Sequence, residues 1–212
     1  MKTPVLGFII LLTLLVLPLP AAEQHPTTIL VLGDSLTAGY GLDQSSAFPA
    51  RLQTALTQKG YQVQVINAGI SGDTSAGGSA RLEWSLSDNP DLVIVQLGAN
   101  DALRGLAVKE TRGNLASIIR RLQQRDIAVV LAGMLAPRNL GEDYYNSFDA
   151  IYPALAEEFD LPLYPFFLAG VAGEPELNLA DGIHPNSAGV DKIVAGMLPL
   201  IMRQLEQRRS AQ

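Results

Sequence analysis

The chain has 212 residues, 48% of them hydrophobic, which is enough for one domain with a full core and too few for two. Its formal net charge of −6 at pH 7 gives it no general attraction to nucleic-acid phosphates or anionic lipid surfaces. Cysteine is absent, which excludes a thiol nucleophile, a thiolate metal site and any disulfide.

At the N-terminus, Lys2 precedes an apolar stretch from Val5 to Leu17 and then Pro18-Leu19-Pro20-Ala21-Ala22. A short positive start, an h-region of about a dozen residues and a small-residue end are the layout of a secretory signal. Residues 1–22 are therefore expected to be removed and residues 23–212 to form the mature domain. An uncleaved anchor is the competing reading, and the stretch falls short of the ~18 apolar residues that a spanning helix needs. No cysteine is available near the cleavage site to carry a lipid. The mature protein is expected in the periplasm or outside the cell, with no stable membrane insertion.

The first strand is Ile29 to Leu32, an unbroken apolar run with β-branched residues at Ile29 and Val31, as in a strand buried on both faces of a parallel sheet. It stops at Gly33-Asp34-Ser35. Ser45-Ser46-Ala47-Phe48-Pro49 then supplies a capping serine and an early proline for a helix with Phe48, Leu52, Ala55 and Leu56 on one face, ended by Lys59-Gly60. Tyr61 to Ile66 reads as the second strand, and Ala76 to Leu86 as a helix weakened at its start by Gly77 and Gly78. Leu92 to Leu97 is the third strand and Ile127 to Leu131 the fourth, separated by a helix with Leu115, Ile118, Ile119 and Leu122 at helical spacing. Phe148, Ile151, Tyr152, Leu155 and Phe159 form the stripe of a further helix that Pro153 should kink. Leu163 to Phe167 is the fifth strand, and a final helix from about Val190 carries an internal Pro199. Five strands alternating with about five helices imply a parallel sheet covered on both faces. Two irregular stretches, Gly133 to about Tyr145 and Ala169 to Ala180, follow strands and are expected to overhang a site.

In such a sheet, ligands and catalytic groups collect at the carboxyl ends of the strands. Polar residues stand there: Asp34 and Ser35 after the first strand, Asn67 and Gly72 after the second, Asn100 and Asp101 after the third. Gly33-Asp34-Ser35 also reads as a simple turn, with Asp34 or Ser35 capping the next helix. Before the final helix comes Asp181-Gly182-Ile183-His184-Pro185, in which one turn of helix-like chain would let Asp181 hold the His184 imidazole. The chain has two histidines, and His25 lies beside the expected mature N-terminus, so a histidine base would be His184. Alone, Asp181 and His184 fit a structural pair better than a catalytic one. Together with Ser35 they suggest a Ser-His-Asp triad.

Gly33-Asp34-Ser35-Leu36, Gly72, Gly98-Ala99-Asn100-Asp101 and Asp181-Gly182-Ile183-His184-Pro185 resemble, in order and spacing, the four blocks of the GDSL, or SGNH, hydrolase family. Asn67 to Ser75, Leu103-Arg104-Gly105 and Pro165-Phe166-Phe167-Leu168 resemble its bacterial thioesterase I, lysophospholipase L1 and arylesterase group. The resemblance implies a three-layer α/β/α sandwich with a central five-stranded parallel sheet of flavodoxin type. It implies a serine esterase that hydrolyses acyl esters and thioesters without a cofactor or metal, acting as a monomer on small acyl esters or lysophospholipids. Ser35 would be the nucleophile, His184 the base and Asp181 the orienting carboxylate. The oxyanion hole would comprise the Ser35 and Gly72 backbone N–H groups and the Asn100 amide. Preorganised donors suit a developing oxyanion, glycine allows close approach and unusual dihedrals, and a neutral amide brings no charge to desolvate. Asp34 is expected to accept hydrogen bonds from nearby backbone, and Asp101 to be structural.

Ala99 stands where the group often carries glycine, and the loop from Met134 to Asn139 starts atypically, which bears on substrate preference. A nucleotide-binding domain is disfavoured because the first strand is followed by neither the dinucleotide nor the phosphate-loop glycine pattern. A zinc hydrolase would need carboxylate ligands that the pattern does not supply. A carbohydrate O-deacetylase and a non-catalytic secreted binding protein on the same fold remain as alternatives.

Overall fold

The computed structural model describes residues 26–211. The expected leader and His25 lie outside the described residues. Five parallel strands form one sheet: β1 (Thr27–Gly33), β2 (Val63–Gly69), β3 (Leu92–Gln96), β4 (Ala128–Ala132) and β5 (Leu163–Tyr164), in the order β2-β1-β3-β4-β5. All five residues of β3 are buried, as its apolar run requires for a strand covered on both faces. Right-handed crossovers send the chain outward from β1 in both directions, so helices must cover both faces. One layer holds α2 (Phe48–Gln58) packed on α8 (Ser187–Ala211). In the other, α5 (Val108–Gln123) packs between α3 (Ser75–Ser85) and α7 (Ile151–Phe159). Phe48 and Phe167 meet edge to face at 5.1 Å beneath α2, and Tyr152 is buried under α7 with its hydroxyl donating to the Leu97 carbonyl at 2.8 Å. Among the described residues no helix is long and apolar enough to cross a membrane.

Several local expectations need correction. Neither Ser45 nor Ser46 caps α2. The serines belong to a single 3-10 turn, Gln44–Ser46, and Ala47 takes the cap position with Pro49 in the first turn. Strand β2 runs three residues past Ile66 because Asn67, Ala68 and Gly69 stay in register with Val31, Leu32 and Gly33. Strand β5 is cut to two residues because Pro165 has no N–H to extend the ladder. The stripe from Phe148 to Phe159 belongs to two helices, α6 (Glu142–Asp149) and α7, with the break at Ala150. Pro153 sits in the first turn of α7, where a missing N–H is tolerated, and the break at Ala150 lies within the four residues before it, where a proline interrupts a continuous helix.

The order places the switch point between β1 and β3, where neighbouring strands send their chains to opposite sides. A crevice at the carboxyl ends follows from that topology. Two short helices enter it, α1 (Ser35–Ala38) after β1 and α4 (Ala99–Leu103) after β3.

Candidate active site

Ser35 is the first residue of α1. Asp34 caps that helix, its Oδ1 accepting the Leu36 N–H at 3.0 Å, so the turn reading and the site reading hold at once. The Asp34 side chain is wholly buried and its Oδ2 has no hydrogen-bond partner. Burial pushes its carboxyl up to about 7, against the pull of the Leu36 N–H.

The other end of the chain supplies the imidazole. His184 Nε2 lies 2.9 Å from Ser35 Oγ, and its Nδ1 lies 2.7 Å from Asp181 Oδ2. The Asp181–His184 segment is a tight turn, in place of the helix-like turn expected from the spacing. Gly182 has φ +68°, which a helix cannot hold, and Asp181 Oδ1 accepts the Ile183 and His184 N–H groups at 2.9 and 3.0 Å. An antiparallel bridge between Asn178 and Pro185 closes the base of this turn. Those two backbone N–H groups, His184 first, and then the imidazole hold the Asp181 carboxyl down at about 2. Tyr40 lies over the imidazole, with ring centroids 4.4 Å apart and the planes tilted by 34°.

The loop after β2 and helix α4 face each other. Asn100 Nδ2 donates to the Asp73 carbonyl at 2.9 Å, which fixes which way its amide points and, among the described residues, leaves its second N–H free. Gly72 adopts φ +81°, and Arg104 donates to its carbonyl at 2.8 Å. Among the described residues, neither the Ser35 nor the Gly72 backbone N–H has an acceptor. Asp101 is buried and accepts from Ser75 N at 2.8 Å, from Ser75 Oγ at 2.5 Å and from Thr111 Oγ1 at 3.1 Å. It faces the interior and ties α3 to α4 and α5.

Ser35, Asn100 and His184 line one cavity of about 400 Å³ whose remaining wall is mainly apolar: Leu36, Leu103, Met134, Leu135, Phe166, Leu168 and Ile183 contribute. Asp181 stands behind His184, and Gly72 is joined to the cavity through Asp73 and Asn100. The loop after β4 overhangs the cavity as expected. It is pinned by Asp149, which accepts the Ala136 N–H at 2.9 Å and Arg138 Nη1 at 2.6 Å. From the Ala169–Ala180 stretch, Ala172 reaches the wall. Sequence reasoning assigned no function to Tyr40, which lies in the same stretch as Ser35 but shows no pattern that marks a ring over the imidazole. It equally passed over Leu103 and Ile183, for which the available signal was an apolar residue within or beside a polar motif block, and both are exposed in the fold. Among the described residues no group of three or more His, Cys, Asp or Glu side chains is placed to hold a metal ion.

A nucleophile, a base with an orienting carboxylate, free N–H donors and an apolar cavity can together perform acyl transfer. Comparison with known proteins bears on the same point. Residues 31–192 match the model of the GDSL-like lipase/acylhydrolase family. The chain is 42% identical over 191 residues to Esterase TesA of Pseudomonas aeruginosa, spanning 90% of this chain and 94% of that one. It is 44% identical over 160 residues to Thioesterase 1/protease 1/lysophospholipase L1 of Escherichia coli strain K12, spanning 75% and 76%. The crystal structure of the psychrotrophic esterase EstA from Pseudoalteromonas, inhibited by monoethylphosphonate, superposes with a TM-score of 0.80 at 34% identity, covering 85% of this chain and 99% of that one. A family model matched over residues 31–192 and 42% identity sustained across 94% of Esterase TesA make the chain a member of the GDSL-like lipase/acylhydrolase family.

Proposed function

We propose that the chain is an exported serine esterase that hydrolyses acyl esters and thioesters, with lysophospholipids and simple aryl esters as its natural class of substrate. The observation that carries this reading is the unbroken hydrogen-bond relay from Asp181 through His184 to Ser35, at 2.7 and 2.9 Å, opening on an apolar cavity. In this mechanism Ser35 Oγ attacks the acyl carbon while its proton passes to His184 Nε2. The carbonyl oxygen becomes an oxyanion held by the Ser35 and Gly72 N–H groups and the free N–H of Asn100. Asp181 keeps the imidazole in the tautomer that accepts at Nε2 and stabilises the imidazolium that forms. The tetrahedral species collapses, the C–O or C–S bond breaks, and the leaving alkoxide or thiolate takes the proton from His184. Water then repeats the sequence on the acyl-Ser35 ester and releases the acid.

The cavity wall of Leu36, Leu103, Met134, Leu135, Phe166 and Leu168 offers apolar contact to an acyl chain. These apolar side chains match a hydrocarbon chain and offer little to the hydroxyls of a sugar, which supports longer acyl esters over sugar acetates. Export through the leader read from residues 1–22 would separate the enzyme from cytosolic acyl-CoA, so thioesters are treated as competent test substrates. A chain-length series of p-nitrophenyl esters, run beside a lysophospholipid and an acyl thioester, tests the reading. It predicts kcat/KM rising from acetyl to longer acyl groups. A preference for acetyl, or no turnover of any ester, overturns it.

A further inference from the structure

Arg81 lies on α3, outside the four motif blocks, yet its guanidinium is bonded to two of the segments that supply the proposed oxyanion donors. Its Nε donates to Asp73 Oδ2 at 2.6 Å, its Nη2 to the Gly33 carbonyl at 2.9 Å and its Nη1 to Ser85 Oγ at 3.2 Å. Gly33 is separated from Ser35 only by Asp34. Asp73 follows Gly72, and its own carbonyl is the acceptor that orients the Asn100 amide. The side chains of Arg81 and Asp73 are each only 13% exposed, so water screens the pair little. Sequence position 77 makes room for it: a Cβ there would lie 1.8 Å from Asp73 Oδ1, so a glycine in the first turn of α3 leaves the slot that the carboxylate fills.

We propose that Arg81 is a positioning residue for ester hydrolysis, a strut that sets the spacing between the Ser35, Gly72 and Asn100 donors. The proposal rests on the oxyanion reading given above. A guanidinium suits the task because its planar fork reaches three acceptors in fixed directions, whereas an ammonium is a point charge on a flexible stem. Donors act on the transition state only when held in place beforehand, and a shift of about 1 Å costs roughly 100-fold in rate. Arg81 touches no reacting atom, so substrate binding should hardly respond to it.

The test is a cycle of Arg81→Lys, Asn100→Ala and the double variant, with kcat and KM for p-nitrophenyl butyrate and a melting curve for each. Arg81→Lys is expected to lower kcat about 10-fold or more, with KM moving less than about 3-fold. In the Asn100→Ala background the same substitution should cost several-fold less, since one of the donors that it positions is gone. Asp73→Ala, which removes the other half of the strut and keeps the backbone carbonyl for Asn100, should show the same separation of kcat from KM. Wild-type kcat in Arg81→Lys, or an equal loss in both backgrounds, overturns the proposal. Wild-type kcat in Asn100→Ala alone overturns the oxyanion reading on which it rests, and is distinguishable because it concerns a different protein of the cycle.

Discussion

His184 Nε2 and Ser35 Oγ lie 2.9 Å apart across 149 positions of sequence. The first strand and the last loop of the sheet edge are brought together because β1 sits at the switch point and the segment before α8 returns over it. Asp181 completes the line on the far side of the imidazole at 2.7 Å.

Replacing Asp181 by Asn should leave the fold intact and lower kcat by about 10⁴, because the imidazole loses both its tautomer and its stabilising charge. The Asp181 carboxyl is held at about 2, below its ordinary 3.8, so the stability it contributes is complete above about pH 4 and is lost only as pH falls through about 2. The relay carboxylate is therefore ionised across the working range. A fall in rate on mild acidification therefore does not come from this carboxylate. Steady-state rates of wild type and Asp181→Asn from pH 5 to 9 check this, and a wild-type rate in the variant removes Asp181 from the relay.

Asn100→Ala removes one free donor whose direction is set by the Asp73 carbonyl. Such a loss costs about 2.7–4 kcal/mol in the transition state, so kcat should fall by roughly 10²–10³ while KM moves little. If Asn100 served only to brace its loop, KM would rise and the melting temperature would drop together. Kinetics and a melting curve on the purified variant separate the two.

Three of the polar blocks were legible in the sequence because they follow β1, β2 and β3, where strand periodicity stops and chemistry-bearing residues stand out, and the fourth because Asp181 and His184 stand three apart in the break before the final helix. The parallel sheet was legible for a related reason: Ile29 to Leu32 of β1 and Leu92 to Val95 of β3 are unbroken apolar runs, as strands covered on both faces require. What escaped was what depends on contact between distant segments. Arg81 reaches the Gly33 carbonyl 48 positions away, and nothing in the pattern of α3 announces it. Gly77 read as a weakness in a helix, whereas the fold uses the missing Cβ to seat the Asp73 carboxylate. Pro153 announced a disturbance of its helix, but the division into two helices at Ala150 was hidden because the apolar stripe continues through it, with Phe148 and Ile151 both buried. Asp34 could be read as a cap but not as a wholly buried one.

That burial has its own consequence. The Asp34 carboxyl is raised from 3.8 to about 7, so the folded protein holds this proton more tightly than the unfolded chain does. The stabilising contribution is fully present below about pH 4 and is lost as pH rises through about 7, at about 1.4 kcal/mol per pH unit across that window. Asp34→Asn keeps an oxygen for the Leu36 N–H and carries no charge. Its stability should therefore be flatter than that of wild type between pH 4 and 7. Parallel denaturation curves of the two proteins over that range would show it, and superimposable pH dependence would contradict it.

The central claim is that Ser35 is the nucleophile, and its most direct measurement is hydrolysis of a p-nitrophenyl ester by purified Ser35→Ala, with a melting curve beside it. Ser35 Oγ is aimed at the imidazole and carries no core packing, so the variant should melt as wild type does while its rate drops to that of the oxyanion donors and binding alone, a loss of about 10⁶ in kcat on the scale of other serine hydrolases. Retention of more than a few per cent of wild-type kcat by a folded Ser35→Ala protein, free of contaminating esterase, would contradict the account.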